Sequence, residues 1–404
     1  MRTKSAGPDV GLLSVLLAAV GIAPLLNYGL SATSDLVIND LGISETQFGL
    51  LATVCFGCGT IGNVVFGKYS DRQPDAKLLA IVFGIAALAM AVAAIPAGYI
   101  FLLAASGIAG FAQSFPNGVT NRILVQRVPA DRRIGWTGIK QSGVQVSQLV
   151  GSVGFPLLAG FIGWHGASAI GAVIASALAV LAVRILAATP LLPVGAPRQR
   201  ISAAPVAAES DDSTSFIVFA LTLFGFINGV GVQATNVYVA LFAVRELDFS
   251  LVAGGLTAAV VGVVGVSARI GWGKMMARGV SAPKLLLLLA LLAMAGGISF
   301  LGALLGHSTV LLWLAVVLHG ASALGVSVIL MAALLRAIPA SRMGSASGIV
   351  TAGQFGGFTV GPLAMGMLIS SSGGFAAGWI AVICIYAACT ALGIYLVLRA
   401  RQRS

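Results

Sequence analysis

Long apolar runs parted by short links leave this 404-residue chain few folds to choose from. Inside a bilayer no water meets a backbone N–H or C=O, so a spanning segment must be a helix or part of a closed barrel. The runs are of helix length, about 20 residues or more, whereas barrel strands alternate over about ten. An all-α integral membrane protein is therefore expected. Composition agrees: 58% of residues are hydrophobic, 9% are charged and the mean hydropathy is +1.01, outside the range of a water-soluble domain. Twelve transmembrane helices are predicted, at 11–38, 46–67, 77–96, 99–127, 134–162, 167–189, 215–244, 250–274, 284–305, 309–337, 342–371 and 376–400. Residues 190–214 are rich in Pro, Ala, Ser and charge and read as a linker. The expected domains are an amino-terminal six-helix bundle (1–189), that linker on the cytoplasmic side (190–214) and a carboxy-terminal six-helix bundle (215–404).

The halves repeat one plan. Gly67-Lys-Tyr-Ser-Asp71-Arg72 has an echo in Gly273-Lys-Met-Met-Ala277-Arg278, 206 positions on, and the same offset relates Asp40 to Glu246 and Gly49 to Gly255. The links Val128-Pro-Ala-Asp-Arg-Arg133 and Ile338-Pro-Ala-Ser-Arg342 match as well. Such self-similarity marks a duplicated architecture of two pseudo-symmetric bundles.

The Gly-x-x-x-Asp-Arg link after span 2, with its weaker copy after span 8, resembles the signature loop of the major facilitator superfamily. The resemblance covers nearly the whole chain. It implies two six-helix bundles with a substrate cavity between them and access alternating between the two sides. It also implies gating by Asp71, Arg72 and Arg133. In that family the loop acid sits at the amino-terminal end of span 11, where the helix dipole favours negative charge, and latches the outward-open state. Ala277 cannot do this in the second copy, so one latch is expected. The continuation Gln73-Pro74-Asp75 departs from the family's usual Gly and basic residues. Gly361-Pro362-Leu-Ala-Met-Gly366 resembles the family's Gly-Pro bend, for which a rocking hinge and simple kinked packing both stand as readings.

The net charge of +11 does not point to nucleic acid. Nearly all the bases outside spans lie in the tails and alternate links, the others offering Arg245 alone. The positive-inside rule then places both termini in the cytoplasm and the chain in a cell inner (plasma) membrane. The first run is too long for a cleaved secretory signal and lacks a small-residue cleavage site. Cys55, Cys58, Cys384 and Cys389 lie in apolar runs; Cys55 and Cys58 form C-x-x-C without further ligands, so packing is the reading. No phosphate loop or metal-ligand spacing occurs. Neither enzyme activity, cofactor nor metal is expected. The expected partners are the lipid bilayer, a small anionic substrate, and protons or a counter-anion, for a monomeric chain.

Of twelve carboxylates, Asp35 alone falls within a predicted span, near the outer end of span 1. Arg122, Lys140 and Arg269 lie within spans 4, 5 and 8. A cation at such depth costs several kcal/mol, roughly 3, unless paired or watered. The missing counter-charge is read as the substrate. Snorkelling is the alternative for each, and for Arg122 and Lys140 so is contact with Asp71 or Asp131. Polar residues recur at helical spacing along Gln113, Asn117 and Asn121 in span 4 and Gln141, Gln145 and Gln148 in span 5. Span 1 adds Asn27 and Tyr28, and span 7 adds Gln233 and Asn236. These read as a ligand wall or as interhelical hydrogen bonds. His319 and Asp35 are the proton-coupling candidates.

The setting Gly265-Val-Ser-Ala-Arg269-Ile-Gly-Trp-Gly273 is similar to the eighth helix of monocarboxylate and oxalate carriers, where an Arg one turn before the loop Gly holds a carboxylate. A guanidinium forks onto two oxygens, which suits that ligand. The carriers' common Asp four residues earlier is Gly265 here. The expectation is a secondary transporter of a small organic anion, a monocarboxylate or related carboxylate, proton-coupled or exchanging. The rivals are a drug–proton antiporter, which would want an acid in the cavity, and a ligand sensor that moves nothing.

Overall fold

A computed structural model describes residues 10–70, 73–114, 116–191, 211–338 and 342–402, with side chains at 64–70, 130, 131, 134, 211–214 and 343–345 left out. The helices are α1 (Val10–Gly21), α2 (Leu25–Ala32), α3 (Ser34–Leu41), α4 (Glu45–Ser70), α5 (Asp75–Ala93), α6 (Tyr99–Ser114), α7 (Pro116–Arg127), α8 (Ala130–Gln141) and α9 (Gly143–Ala188) in the first half. The second half holds α10 (Asp211–Glu246), α11 (Leu251–Ala277), α12 (Ala282–Gly306), α13 (Thr309–Ser322), a short 3₁₀ turn (Ala323–Gly325), α14 (Val326–Ala337), α15 (Met343–Ile369) and α16 (Gly374–Gln402). The all-α expectation holds, and no strand occurs among the described residues.

Several expected spans are broken helices. Span 1 is α1 to α3, bent by 57° between α1 and α2, where Pro24 caps the second piece. Span 4 is α6 and α7, the latter starting at Pro116; span 10 is α13 and α14, joined by the 3₁₀ turn. The first and last four backbone groups of any helix need partners from elsewhere, so breaks inside a bilayer are tolerated where they are buried in protein or line a cavity. The long helix α9 would measure about 69 Å if straight at 1.5 Å per residue, twice a bilayer core. It turns back at Gly163, whose φ of 70° is the left-handed region that glycine enters freely. By length and composition alone, eight helical stretches among the described residues suit a membrane span, or ten with bent pairs joined. The linker expected at 190–214 lies mostly outside the described residues, and α10 already begins at Asp211.

The bundles meet along two seams, α4 against α15 and α11 against α9. Gly49 and Gly255, paired by the sequence repeat, occupy equivalent places there. A Cβ on Gly49 would meet the Pro362 carbonyl oxygen, and one on Gly255 would meet the Ser152 carbonyl and lie 2.8 Å from Pro156 Cγ. Each glycine lets a helix of one bundle touch the backbone of the other. Packing inside the carboxy-terminal bundle is aromatic, with Phe300 stacked on Trp379 at 4.3 Å and Phe242 edge-on to Trp379 at 5.1 Å.

Candidate functional site

At the face remote from the two termini the bundles are tied shut. The Arg245 guanidinium at the end of α10 donates to Asp35 on α3 at 2.7 Å and to Glu45 at the start of α4 at 2.5 Å. Ser370 Oγ donates to Glu45 Oε2 at 3.0 Å and accepts from the Thr46 backbone N–H at 3.2 Å. Tyr238 O–H donates to the Glu45 carbonyl at 2.5 Å, and deeper in the seam Thr53 Oγ1 donates to the Thr359 carbonyl at 2.7 Å. Every one of these bonds crosses between bundles. Arg245 is thus an inter-bundle residue and not simply a loop base. Asp35, a proton-coupling candidate, belongs to this cluster and does not line the cavity.

Inside this seal lies a central cavity of about 210 Å³, walled by both bundles. Eight of the eleven expected binding residues line it: Asn27, Tyr28, Asn117, Gln141, Gln145, Gln233, Asn236 and Arg269. The breaks position several of them. Asn27 and Tyr28 lie on the short α2, Asn117 on the first turn of α7, and Gln141 and Gln145 flank the junction of α8 and α9. Gln141 Nε2 donates to Asn117 Oδ1 at 3.1 Å, fixing one wall. Arg269 donates through Nε at 3.0 Å to the carbonyl of Leu324, which lies in the 3₁₀ turn between α13 and α14. That bond orients the guanidinium. Gln141, Gln145, Arg269 and Ser327 also line a more open cleft of about 480 Å³ between α8–α9 and α11–α14. Arg269 therefore stands between the cavity and its opening on the terminal face.

Three expected binding residues do not line the cavity. Arg122 is a correction: it is salt-bridged to Asp75 at the start of α5, with Nε to Oδ1 at 2.6 Å, and its Nη2 donates to the Gln73 carbonyl at 2.7 Å. A carboxylate of this chain neutralises it. Asp75, 47 residues away, sits beside it because α5 packs against α7. Lys140 is fully buried within the amino-terminal bundle, donating to Thr120 Oγ1 at 2.7 Å. Asn121 is exposed. Of the expected gating residues, Asp71 and Arg72 lie outside the described residues, and Arg133 donates to the Val128 and Val125 carbonyls at 2.8 and 2.7 Å, within its own bundle. His319 is buried, 3.2 Å from Asn236 Oδ1, so it reaches the cavity wall through that amide.

Gln113 and Gln148, both members of the polar stripes, bring further amides to the wall. Beyond what the sequence pattern marks, the structure adds the amide of Gln354 and an aromatic surface of Phe56, Phe355 and Phe358, with Phe56 and Phe358 at 5.5 Å between centroids. Gln354, a single amide among small apolar residues, gives no signal in the spacing. Gln233 Oε1 is buried without a hydrogen-bond partner. Among the described residues no carboxylate lines the cavity, and none pairs with Arg269. The cavity is one cation set among amides, one phenol and three phenyl rings. No group of three or more His, Cys, Asp or Glu able to hold a metal occurs among the described residues. Cys55 accepts a hydrogen bond from Gln113 Nε2 at 3.1 Å, in keeping with a packing role.

Two helical bundles, closed at one face and open at the other around a polar chamber, are the architecture of an alternating-access membrane carrier. The sequence pattern of the Major Facilitator Superfamily matches residues 16–354, and the chain belongs to that superfamily. Membership places it among transporters and not among enzymes. A "Putative metabolite transport protein" of Haemophilus influenzae is 29% identical over 147 residues, 36% of this chain and 35% of that one, so the match spans about a third of the relative's length. Among solved structures the fold is similar to the nucleoside transporter NupG, at 15% identity and a TM-score of 0.72 over 96% of this chain and 98% of that one. It is similar as well to a bacterial homolog of the human lysosomal transporter Spinster in an inward-facing, unoccupied conformation (16% identity, TM-score 0.71, 97% and 96% covered). A D-xylose–proton symporter matches at 18% identity, with a TM-score of 0.72 and 95% of each chain covered. At such identities the likeness is one of fold.

Proposed function

We propose that this protein is a secondary transporter of a small organic anion, a hydroxylated monocarboxylate, held between Arg269 and the amide wall and moved by alternating access. The observation that carries this reading is Arg269: a guanidinium on the cavity wall with no carboxylate partner among the described residues. A cation desolvated between the bundles favours a cargo that supplies the opposite charge, and one cation matches one carboxylate. The amides Asn27, Gln145 and Gln233 suit hydroxyl groups, and the unpartnered Gln233 Oε1 wants a donor. A cavity of about 210 Å³ lies below the roughly 300–1,000 Å³ of drug-sized sites. The drug–proton reading lacks the acid that a cationic drug would need.

A neutral hydroxylated cargo is the second reading. It is favoured by the number of amides and by the Phe56, Phe355 and Phe358 surface, on which a sugar or base could rest. Proteoliposome uptake decides between them. The wild type should concentrate a labelled small hydroxycarboxylate, Arg269→Gln should lose at least tenfold of that uptake at unchanged melting temperature, and Arg269→Lys should keep part of it. Uptake of a neutral sugar or nucleoside that survives Arg269→Gln would overturn the anion reading. Binding without flux into sealed vesicles would instead favour the ligand sensor.

A further inference from the structure

His319, the only histidine inside an expected span, stands in the last turn of α13, where span 10 breaks. Side chains from two neighbouring helices pin that break. Trp272 Nε1 on α11 donates to the Ala321 carbonyl at 2.7 Å, Arg269 to that of Leu324 at 3.0 Å, and Asn228 Nδ2 on α10 to that of Ala323 at 3.2 Å. Beside these ties the buried imidazole places its Nε2 3.2 Å from Asn236 Oδ1.

An amide oxygen only accepts, so this bond needs the ring proton on Nε2. With Oδ1 taken, Asn236 keeps its Nδ2 donors for the cavity that it lines, and it makes no other hydrogen bond among the described residues. One turn earlier on α10, Gln233 lines the same cavity, and its buried Oε1 has no partner. The helix thus offers a donor and an acceptor three residues apart, on one face. A hydroxyl is the group that both gives and takes a hydrogen bond. An unanchored amide at 236 could present oxygen or nitrogen in turn, and His319 removes that freedom.

Charge does not account for the imidazole. The helices α11 and α12 pack against α13, and their charged residues are Arg269, Lys274 and Lys284. On α10 the acids Asp211, Asp212 and Glu246 lie at the ends, about 15 Å or more along the helix from Asn236 at 1.5 Å per residue. Arg245 and Tyr238 are engaged at the remote face. An imidazolium at 319 would be a second cation near the wall that holds Arg269, with no acid among the described residues to answer it.

We propose that neutral His319 is a positioning residue: its Nε2–H locks the Asn236 amide as a donor, so that Asn236 and Gln233 together bind one hydroxyl of the cargo. The inference rests on the reading that the amide wall holds a hydroxylated solute, and it stands whether or not that solute is also a carboxylate. His319 then carries no coupling proton.

The full-length protein has three histidines, His165, His307 and His319, so nitrogen-isotope labelling of histidine resolves each ring by NMR in detergent, with His319→Gln giving the assignment. The His319 ring should be the Nε2–H tautomer at about pH 5 and at about pH 8 alike, and Asn236→Leu should shift its Nε2 signal. Titration of that ring across this range, or the Nδ1–H tautomer, would overturn the proposal. Proteoliposome uptake then compares solutes that differ by one hydroxyl, lactate with propionate and ribose with deoxyribose. In one pair the wild type should show a KM about tenfold lower for the hydroxylated member. His319→Leu and Asn236→Leu should each narrow that ratio to about threefold or less with the maximal rate within about twofold, whereas His319→Gln, whose amide N–H can take the place of Nε2, should keep most of it. A wild type that treats the members of both pairs alike, or an undiminished ratio in both Leu variants, would overturn the subsite. Loss of proton-driven accumulation in His319→Gln would show a proton carrier and overturn the positioning role. Arg269→Gln should depress lactate and propionate together and leave their ratio, so the hydroxyl subsite and the anion reading fail separately.

Discussion

Replacing Arg245 with Gln tests whether the cluster at the remote face holds the bundles closed. The guanidinium bridges Asp35 and Glu45 at 2.7 and 2.5 Å, and the three side chains are 27%, 25% and 19% exposed. Exposed ion pairs contribute at most about 1 kcal/mol, whereas breaking a buried one costs about 3–5 kcal/mol. At this intermediate exposure each pair is assigned about 1 kcal/mol, so the variant loses about 2 kcal/mol of closed-state preference. That corresponds to roughly a thirtyfold rise in the population open at this face. The bonds from Ser370 and Tyr238 to Glu45 survive in the variant, so the seam is weakened and not abolished. Amide hydrogen exchange gives the readout: residues 34–49 and 362–370 should exchange at least tenfold faster in Arg245→Gln, while α5, remote from the seam, should not change. Unaltered exchange in those two segments, or an equal rise in α5, would refute the assignment of the cluster as a closing element.

Two further outcomes follow from contacts inside and between the bundles. Gly49→Val and Gly255→Val each put a side chain against the other bundle's backbone, at Pro362 and at Ser152, and should open the same two segments to exchange while the melting temperature falls by only a few degrees; protection equal to wild type would show that the seam yields freely. Arg122→Met strips the cation from a carboxylate only 9% exposed and should destabilise the protein by about 2 kcal/mol, whereas Lys140→Met, at a fully buried amine bonded to a hydroxyl, should leave stability unchanged or raised. Thermal unfolding in one detergent compares the two, and a melting temperature lowered equally by both would sink the distinction drawn between them.

The fold was legible because its main constraint is local. A run long enough to span lipid must be helical, and Gly49 with Gly255 could be matched before any contact was known. Cavity residues were legible for a related reason: polar side chains in an apolar helix turn inward, so Asn117, Gln141 and Gln145 declared their direction by spacing. Pairings were not legible. The sequence shows how deep Arg122 lies along its own helix, but its long side chain reaches Asp75 on a neighbour, and depth says nothing about neighbours. Arg245 with Asp35 and Glu45 joins residues some 200 positions apart across the bundle seam. Such contacts depend on which helices are adjacent, and the helical period carries no information on that.

The cavity also shows which features belong to the duplicated frame and which do not. Asn27 and Gln233 stand 206 positions apart, and Gln148 and Gln354 each precede a helix-internal proline, Pro156 or Pro362, by eight residues; all four line the chamber. A chamber whose walls must close first on one side and then on the other benefits from such matched surfaces, because each half then presents like groups to the cargo in either state. Arg269 breaks the match. Its counterpart, four residues before Gly67, is Asn63, which bonds back to the Gly59 carbonyl of its own helix at 2.9 Å and does not line the cavity. Matched amides fit the shared task of closing around a solute. An unmatched cation, oriented by the 3₁₀ break at Leu324 that the other half does not reproduce with a charge, adds a preference that closure does not require. On the proposed anion reading the choice of cargo therefore falls to Arg269, and the amides to the machinery around it.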